Sequence, residues 1–221
     1  MLNIDASYVH CTYFLKGNEV DHIEKIGDLV ITSGKLCACD PCNLTDKNWN
    51  QEMLLTVPTG IYPVLVDSKE HLVNIMFNPR GDIFFWEDIK FKRKMYPDSI
   101  IVDSGEYGFI DKDGIKAIQS NTEKGIYPKE FRFDAPKSTK INSHGYDYCY
   151  EQEITNSKNN FLGISTLFGD DEYTVRAGYN ESNKIECISG FLLGKNFGVG
   201  LYINSAKISR KTIEKFKKIN S

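Results

Sequence analysis

The chain has 221 residues, of which 41% are hydrophobic and 26% charged. This is the composition of a globular protein that is long enough to bury a core without disulfides or metal ions. A net charge of −3 argues against nucleic-acid binding by bulk charge. No signal peptide and no apolar run of roughly 18 residues is visible, so we expect a cytoplasmic protein whose six cysteines are reduced.

Short β-prone segments separated by turn residues dominate the first half of the chain. The segments at 28–32 and 35–39 flank Ser33-Gly34, a pair that predicts a hairpin turn. In the segment at 61–66, Pro63 cannot donate a ladder hydrogen bond, so this strand is expected to start at the proline or to lie at a sheet edge. Further strands are predicted at 71–77, 83–87, 100–102 and 108–110.

The second half continues this pattern and adds the few helical signals. Residues 113–120 fit a short helix or a strand after a turn. Residues 137–160 are polar apart from their tyrosines, which predicts a long loop or a seam between two lobes. Residues 180–183 predict a hairpin turn, and 209–220 predict a C-terminal helix with Ser209 as its N-cap. Strands are predicted at 161–165, 172–177 and 184–193.

These elements predict a mainly β fold, an antiparallel β-sandwich or bent sheet with a C-terminal α-helix. Turn signals every eight to twelve residues or so favour this fold over a parallel α/β arrangement. We expect a single β-rich domain over 1–221, with two lobes and a seam near 137–160 as the alternative.

Several moderately specific motifs follow one another along the chain. They are SGKLCACDP at 33–41, TVPTGIYPV at 56–64, VDSGEYGFID at 102–111, GDDEY at 169–173 and GYN at 178–180. In this order they resemble the DUF4241 family, a bacterial group whose function is unassigned. The resemblance spans roughly residues 25–195 and implies a shared fold more than a shared activity.

A cysteine cluster at 37–42 is the first candidate for chemistry. Cys37 and Cys39 share one strand face, and Cys42 lies past the turn at Pro41. A zinc site would need a fourth ligand from elsewhere in the chain, namely Cys11, His10, His71, His144 or Cys149. We predict instead that the cluster is reduced and metal-free, with Cys37 or Cys39 buried as a small hydrophobe and Cys42 the most accessible.

Four aspartates at predicted strand ends are the second candidate: Asp40, Asp103, Asp111 and Asp170. Carboxylates gathered at one rim could bind a partner, hold Mg²⁺ or Ca²⁺, or divide into acid and base. Each also stands in a sequence typical of turns, where aspartate accepts hydrogen bonds from nearby backbone amides.

Tyrosines and basic residues supply two weaker signals. Tyr146 and Tyr148 alternate with Tyr150, so they are expected on one face, as a recognition surface or as cover for the core rim. The basic run at 90–96 carries aromatics, but a solvated segment explains it better than a nucleic-acid patch.

We hypothesise a non-catalytic cytoplasmic binding module that presents loops to a protein or small-molecule partner. An immunity- or accessory-type role would suit such a module. The alternative is a divalent-metal-dependent hydrolase that uses the aspartate cluster, with His71 or His144 as proton carrier. No motif predicts a cofactor, a nucleic-acid partner or a membrane anchor.

Overall fold

The computed structural model describes residues 4–45, 54–91, 98–126, 149–167 and 169–194. Within them, thirteen strands and two α-helices form a mainly β protein. The helices are α1 (Ile4–Leu15) and α2 (Lys112–Glu123), and a 3₁₀ turn spans Pro41–Asn43. The strands are β1 (Ile23–Ile31), β2 (Lys35–Cys39), β3 (Leu54–Thr56), β4 (Gly60–Asp67), β5 (Leu72–Met76), β6 (Phe85–Asp88), β7 (Ile100–Val102), β8 (Glu106–Asp111), β9 (Cys149–Glu153), β10 (Asn160–Ser165), β11 (Asp171–Tyr173), β12 (Val175–Tyr179) and β13 (Ile185–Phe191).

The strands form three antiparallel sheets. The six-stranded sheet has the order β1-β4-β5-β13-β12-β6, the five-stranded sheet β3-β2-β8-β10-β9, and β11 pairs with β7 alone. The predicted mainly β antiparallel fold is confirmed. The predicted C-terminal helix at 209–220 lies outside the described residues.

One core joins the two larger sheets. It contains Leu29, Val64 and Ile75 from the six-stranded sheet together with Phe109 and Phe161 from the five-stranded sheet. The opposite face of the six-stranded sheet packs against α1, through a second cluster of Tyr8, Cys11, Ile23, Leu65, Met76 and Cys187. Both faces of this sheet are therefore covered, which explains why its strands have apolar runs rather than strict alternation.

Ser33-Gly34 is not the hairpin turn that the sequence predicts. β1 belongs to the six-stranded sheet and β2 to the five-stranded sheet, so the chain changes sheets at this pair. Gly34 has φ +68°, which suits glycine, and the Ser33 amide donates to Asp111 (3.0 Å) rather than across a hairpin. The local sequence indicates that the chain turns here. It does not indicate which strands β1 and β2 pair with.

The sequence prediction for residues 180–183 is confirmed, but that for Pro63 is wrong, because β4 begins at Gly60 and lies between β1 and β5. β4 pairs with β1 along its length, but with β5 only from Val64 onward, so Pro63 has a neighbouring strand on one side only. The residues at 180–183 connect the antiparallel strands β12 and β13, as predicted.

Two helices and one strand refine the sequence-based picture. Residues 113–120 lie in α2, which resolves the helix-or-strand alternative. α1 was not predicted, because its four buried residues (Ile4, Ser7, Tyr8 and Cys11) form only a weak apolar stripe. Within the predicted loop at 137–160, residues 149–153 form β9 and Asn160 begins β10, so the prediction is wrong there, while 154–159 connect the two strands; residues 137–148 lie outside the described residues. The prediction of a single domain stays a prediction.

A glycine pair lies at the centre of the five-stranded sheet. Gly108 of β8 stands opposite Gly163 of β10, and a Cβ on Gly108 would overlap the Leu162 carbonyl oxygen and the Phe161 ring. We expect Gly108→Ala to lower the free energy of unfolding by about 3 kcal/mol, because a backbone atom must move. Gly125→Ala is the control, as nothing lies within 4 Å there and only its φ of +73° opposes alanine, at about 1 kcal/mol. Urea unfolding measures both, and equal losses would contradict the close approach.

Candidate functional site

A cleft opens where three strands of the six-stranded sheet end. β5 leads into Phe77 and Asn78, β12 ends at Tyr179, and β13 begins at Ile185. The last residue of β3, Thr56, and the first two residues of the link to β4, Val57 and Pro58, line the other side. The cleft has a volume of about 550 Å³, and its lining residues are Thr56, Val57, Pro58, Phe77, Asn78, Tyr179, Asn183, Lys184, Ile185 and Glu186.

The wall of the cleft is apolar and its rim is polar. Phe77, Tyr179 and Ile185 are half-buried and pack on the main core, while Asn183 and Lys184 are exposed. The amides of Phe77 and Asn78 donate to the Glu186 carbonyl (2.9 and 3.2 Å), so β5 and β13 hold the wall in place. Such a site can accept an apolar group with a polar end.

Glu186 adds a buried charged group to this lining. The residue is 3% exposed, and Oε1 accepts a hydrogen bond from the side-chain Nδ2 of Asn180. Oε2 is buried and has no hydrogen-bond partner among the described residues. A buried carboxylate oxygen in this state is stabilised by any donor that reaches it.

Asp40 is the first of the predicted site residues, and both of its carboxylate oxygens accept hydrogen bonds from turn residues. Its Oδ1 accepts from the Cys42 amide and the Ser104 hydroxyl, both at 2.8 Å. Its Oδ2 accepts from the amides of Asp103 (2.8 Å) and Ser104 (3.0 Å). Four donors fill the lone-pair positions of a carboxylate, so Asp40 has no free position for a metal or a substrate.

The carboxylate oxygens of Asp111 also accept two hydrogen bonds each. Its Oδ1 accepts from the Asp113 amide at the start of α2 (2.8 Å) and from the Thr32 hydroxyl (3.3 Å). Its Oδ2 accepts from the amide and hydroxyl of Ser33, at 3.0 and 2.8 Å. Asp111 therefore caps α2 and holds the sheet-changing turn at 33–34.

The four aspartates do not meet at one rim. Leu36 pairs with Asp111, and Asp40 comes four residues later, so the two lie about 13 Å apart at opposite ends of the β2–β8 pair. Asp103 and Asp170 are exposed on neighbouring turns, which Thr166 joins by donating to the carbonyls of Gly105 and Gly169. The structure thus places Asp103 beside Asp40 and separates both from Asp111.

Tyr146 and Tyr148 lie outside the described residues. Their neighbour Tyr150 is 4% exposed, packs beside Phe161 and donates to Glu106 Oε2 at 2.8 Å. Tyr150 is therefore part of the core and not of a recognition surface.

The cysteines are placed as the sequence predicts. Cys37 and Cys39 are buried in β2, which lies between β3 and β8, and Cys42 is the one exposed cysteine of the six. Burial raises the pKa of the Cys39 thiol well above its usual range. Burial and then the Asp40 charge raise the pKa of the Cys42 thiol as well.

A second group of polar side chains was missed by the sequence analysis. His10, His22 and Asp67 are the one set of three metal-ligating side chains in the described residues whose ligand atoms lie within 4.8 Å of one another. His10 was one of the possible fourth zinc ligands for the cysteine cluster, but no sequence pattern joins it to His22 or Asp67. Their positions on α1, before β1 and at the end of β4 become adjacent only in the fold.

No family model, curated protein or solved structure matches this chain. The resemblance to DUF4241 stays a prediction, and the geometry of the described residues supports the functional proposal below. No described helix is long and apolar enough to cross a membrane.

Removing the Asp40 carboxylate tests its assignment to turn structure. Asp40→Ala leaves three backbone amides and one hydroxyl without their acceptor, so we expect a loss of about 3 kcal/mol in the free energy of unfolding. Asp170→Ala, at an exposed turn position, is the control and should change it by less than about 0.5 kcal/mol. Urea unfolding measures both, and a small effect of Asp40→Ala would contradict the assignment.

Thiol labelling with a disulfide reagent tests the cysteine environments. We expect one fast thiol, Cys42, while Cys37 and Cys39 react only as the protein opens. Because the thiolate is the nucleophile and the Cys42 pKa is raised, its rate should climb about tenfold from pH 7 to 8. Cys42→Ser should abolish the fast phase. Fast labelling that persists in Cys42→Ser would show that Cys37 or Cys39 in β2 is accessible to the reagent, which would contradict the prediction.

Proposed function

We propose that the protein is a non-catalytic binding module whose cleft holds an apolar group of a protein or small-molecule partner. The observation that carries the proposal is the cleft itself, an apolar wall with a polar rim at the end of a rigid sheet. Its volume of about 550 Å³ falls within the range of ligand sites in proteins. Phe77, Tyr179 and Ile185 supply the contact area.

The preferred partner group is an aromatic or aliphatic residue that carries a cationic nitrogen. Glu186 lines the cleft, and its buried carboxylate attracts a positively charged group held nearby. An anionic group would face repulsion from the same carboxylate. Lys184 lies exposed at the rim, where solvent screens its charge.

The alternative hydrolase on the four aspartates has less support. Asp40 and Asp111 each accept four hydrogen bonds and lie at opposite ends of the β2–β8 pair. Neither can move a proton or join a shared metal site without releasing the turns that it holds. A binding role needs the loops at the strand ends and does not require that the four aspartates form one cluster.

We further propose that the module works in the cytoplasm, in an immunity- or accessory-type role. The cysteines support a reducing compartment, because all six are free and five are buried. The net charge of −3 favours a protein or small molecule over a nucleic acid as partner.

Titration with small probes tests the cleft. We expect benzylamine to bind with about millimolar affinity, as suits so small a fragment, and to shift the backbone amide signals of Phe77, Tyr179 and Ile185 in ¹⁵N-edited NMR spectra. Benzoate has the same ring with the opposite charge and should bind at least about tenfold more weakly.

Two variants give the titration its controls. Glu186→Gln keeps the side-chain shape and removes the charge, so benzylamine affinity should fall about tenfold. Ile61→Arg places a new charge at a residue that is 67% exposed and does not line the cleft, and it should leave the affinity unchanged. Shifts spread over the whole surface, or equal binding of benzylamine and benzoate, would contradict the proposal.

A further inference from the structure

Three polar side chains from separate parts of the chain meet at the edge of the six-stranded sheet. His10 lies on α1, His22 directly precedes β1, and Asp67 ends β4. The pairing of Ile23 with Asp67 fixes the two strand ends, and the amide and hydroxyl of Ser68 donate to the His22 carbonyl at 2.9 and 3.1 Å. Backbone pairing thus places His22 and Asp67 side by side, independently of any contact between their side chains.

The distances among the three ligand atoms suit a bound metal ion. His22 Nε2 lies 3.1 Å from His10 Nδ1, which lies 3.5 Å from Asp67 Oδ2. Each of the three residues offers one ligand atom that lies within 4.8 Å of those of the other two. For metal–ligand bonds of about 2.0–2.1 Å, tetrahedral geometry places ligand atoms about 3.3 Å apart, between the two measured distances.

Asp67 has one oxygen fixed and the other unpaired. Its Oδ1 accepts from the amides of Lys69 (3.1 Å) and Glu70 (3.0 Å), which orients the carboxylate as outer-sphere partners do in metal sites. Its Oδ2 is buried and lacks a hydrogen-bond partner among the described residues, and the Asp67 side chain is 0% exposed. A buried carboxylate oxygen in this position is costly unless a cation or donor satisfies it.

Hydrogen bonding among the three side chains does not satisfy them all. If His22 Nε2 donates to His10 Nδ1, that nitrogen carries no proton for Asp67. If His10 Nδ1 instead donates to His22, the same proton cannot also bond Asp67 Oδ2, 3.5 Å away. A cation between the three atoms satisfies every one of them at once.

We propose that His10 Nδ1, His22 Nε2 and Asp67 Oδ2 bind a divalent transition-metal ion, with zinc the expected ion. Two imidazoles and one carboxylate are a donor set that zinc accepts, and three protein ligands leave a fourth position for water. The His10 side chain is 30% exposed, so the ion can enter from solvent. This site is separate from the cleft, and its existence does not depend on the proposed binding role.

Zinc titration of the chelator-treated full chain tests the proposal. By calorimetry we expect one equivalent of Zn²⁺ to bind with about micromolar affinity or tighter. At free Zn²⁺ about a hundredfold above the dissociation constant, the Tm should rise by about 5–10 °C. Histidine ¹⁵N NMR should show the largest shifts at Nδ1 of His10 and Nε2 of His22.

Single substitutions assign the ion to these residues. His10→Gln and His22→Gln each remove one ligand at a partly exposed position and should weaken zinc binding by at least tenfold, by about 1.4 kcal/mol or more. Asp67→Asn should do the same while keeping an oxygen for the amides of Lys69 and Glu70. His71→Asn is the control, since it removes a histidine outside the group, and asparagine tolerates the φ of +53°.

Each outcome decides the proposal. Binding that survives in His71→Asn and weakens in both His10→Gln and His22→Gln supports it, even if Asp67→Asn fails to fold. Absence of zinc binding by the unmodified chain overturns the proposal, as does an affinity in His10→Gln and His22→Gln equal to that of the unmodified chain. Circular dichroism of each variant without metal separates lost binding from lost structure.

Discussion

The carboxylate of Asp111 is the interaction on which the arrangement of the two larger sheets depends. It ends β8, caps α2 through the Asp113 amide and accepts from both the amide and hydroxyl of Ser33, where the chain passes from one sheet to the other. Where a chain passes from one sheet to another, its backbone amides have no neighbouring strand with which to hydrogen-bond. If these amides are buried, they need another acceptor. Asp40 solves the same problem at the other end of the β2–β8 pair, with Asp103 and Ser104 as donors.

Two asparagines extend this principle to a strand edge. β1 is the outer strand of the six-stranded sheet, and the Asn160 side chain accepts from the Val30 amide and donates to the Asp28 carbonyl. Asn159 donates to the Val30 carbonyl. Amide side chains from the start of β10 and the residue before it thus take the place of a neighbouring strand, which covers an edge that would otherwise be open to pairing with another chain. They also link the two sheets by hydrogen bonds in addition to apolar packing.

Hydrogen-bond saturation separates structural carboxylates from candidate functional ones. Asp40 and Asp111 accept four hydrogen bonds each, and their burial is balanced by the turns they hold. Asp67 and Glu186 are also buried, yet each keeps one oxygen without a partner in the described part of the chain. An unsatisfied buried carboxylate costs stability, so a ligand that satisfies it gains that free energy on binding. This difference is why the proposals rest on Asp67 and Glu186.

The sequence by itself determined the β-rich class, the turn positions and the burial of Cys37 and Cys39, because side-chain alternation and turn residues act within a few positions of the chain. For Asp40 and Asp111 it offered a turn role beside the binding role, and the hydrogen bonds of the folded chain favour the turn role. The sheet order, the sheet change at Ser33-Gly34 and the His10–His22–Asp67 group were decided by the tertiary structure. His10 and Asp67 are 57 positions apart in the chain, and they meet only because α1 packs on the sheet and Ile23 pairs with Asp67. Pairing of distant strands depends on the whole core, which no local pattern encodes.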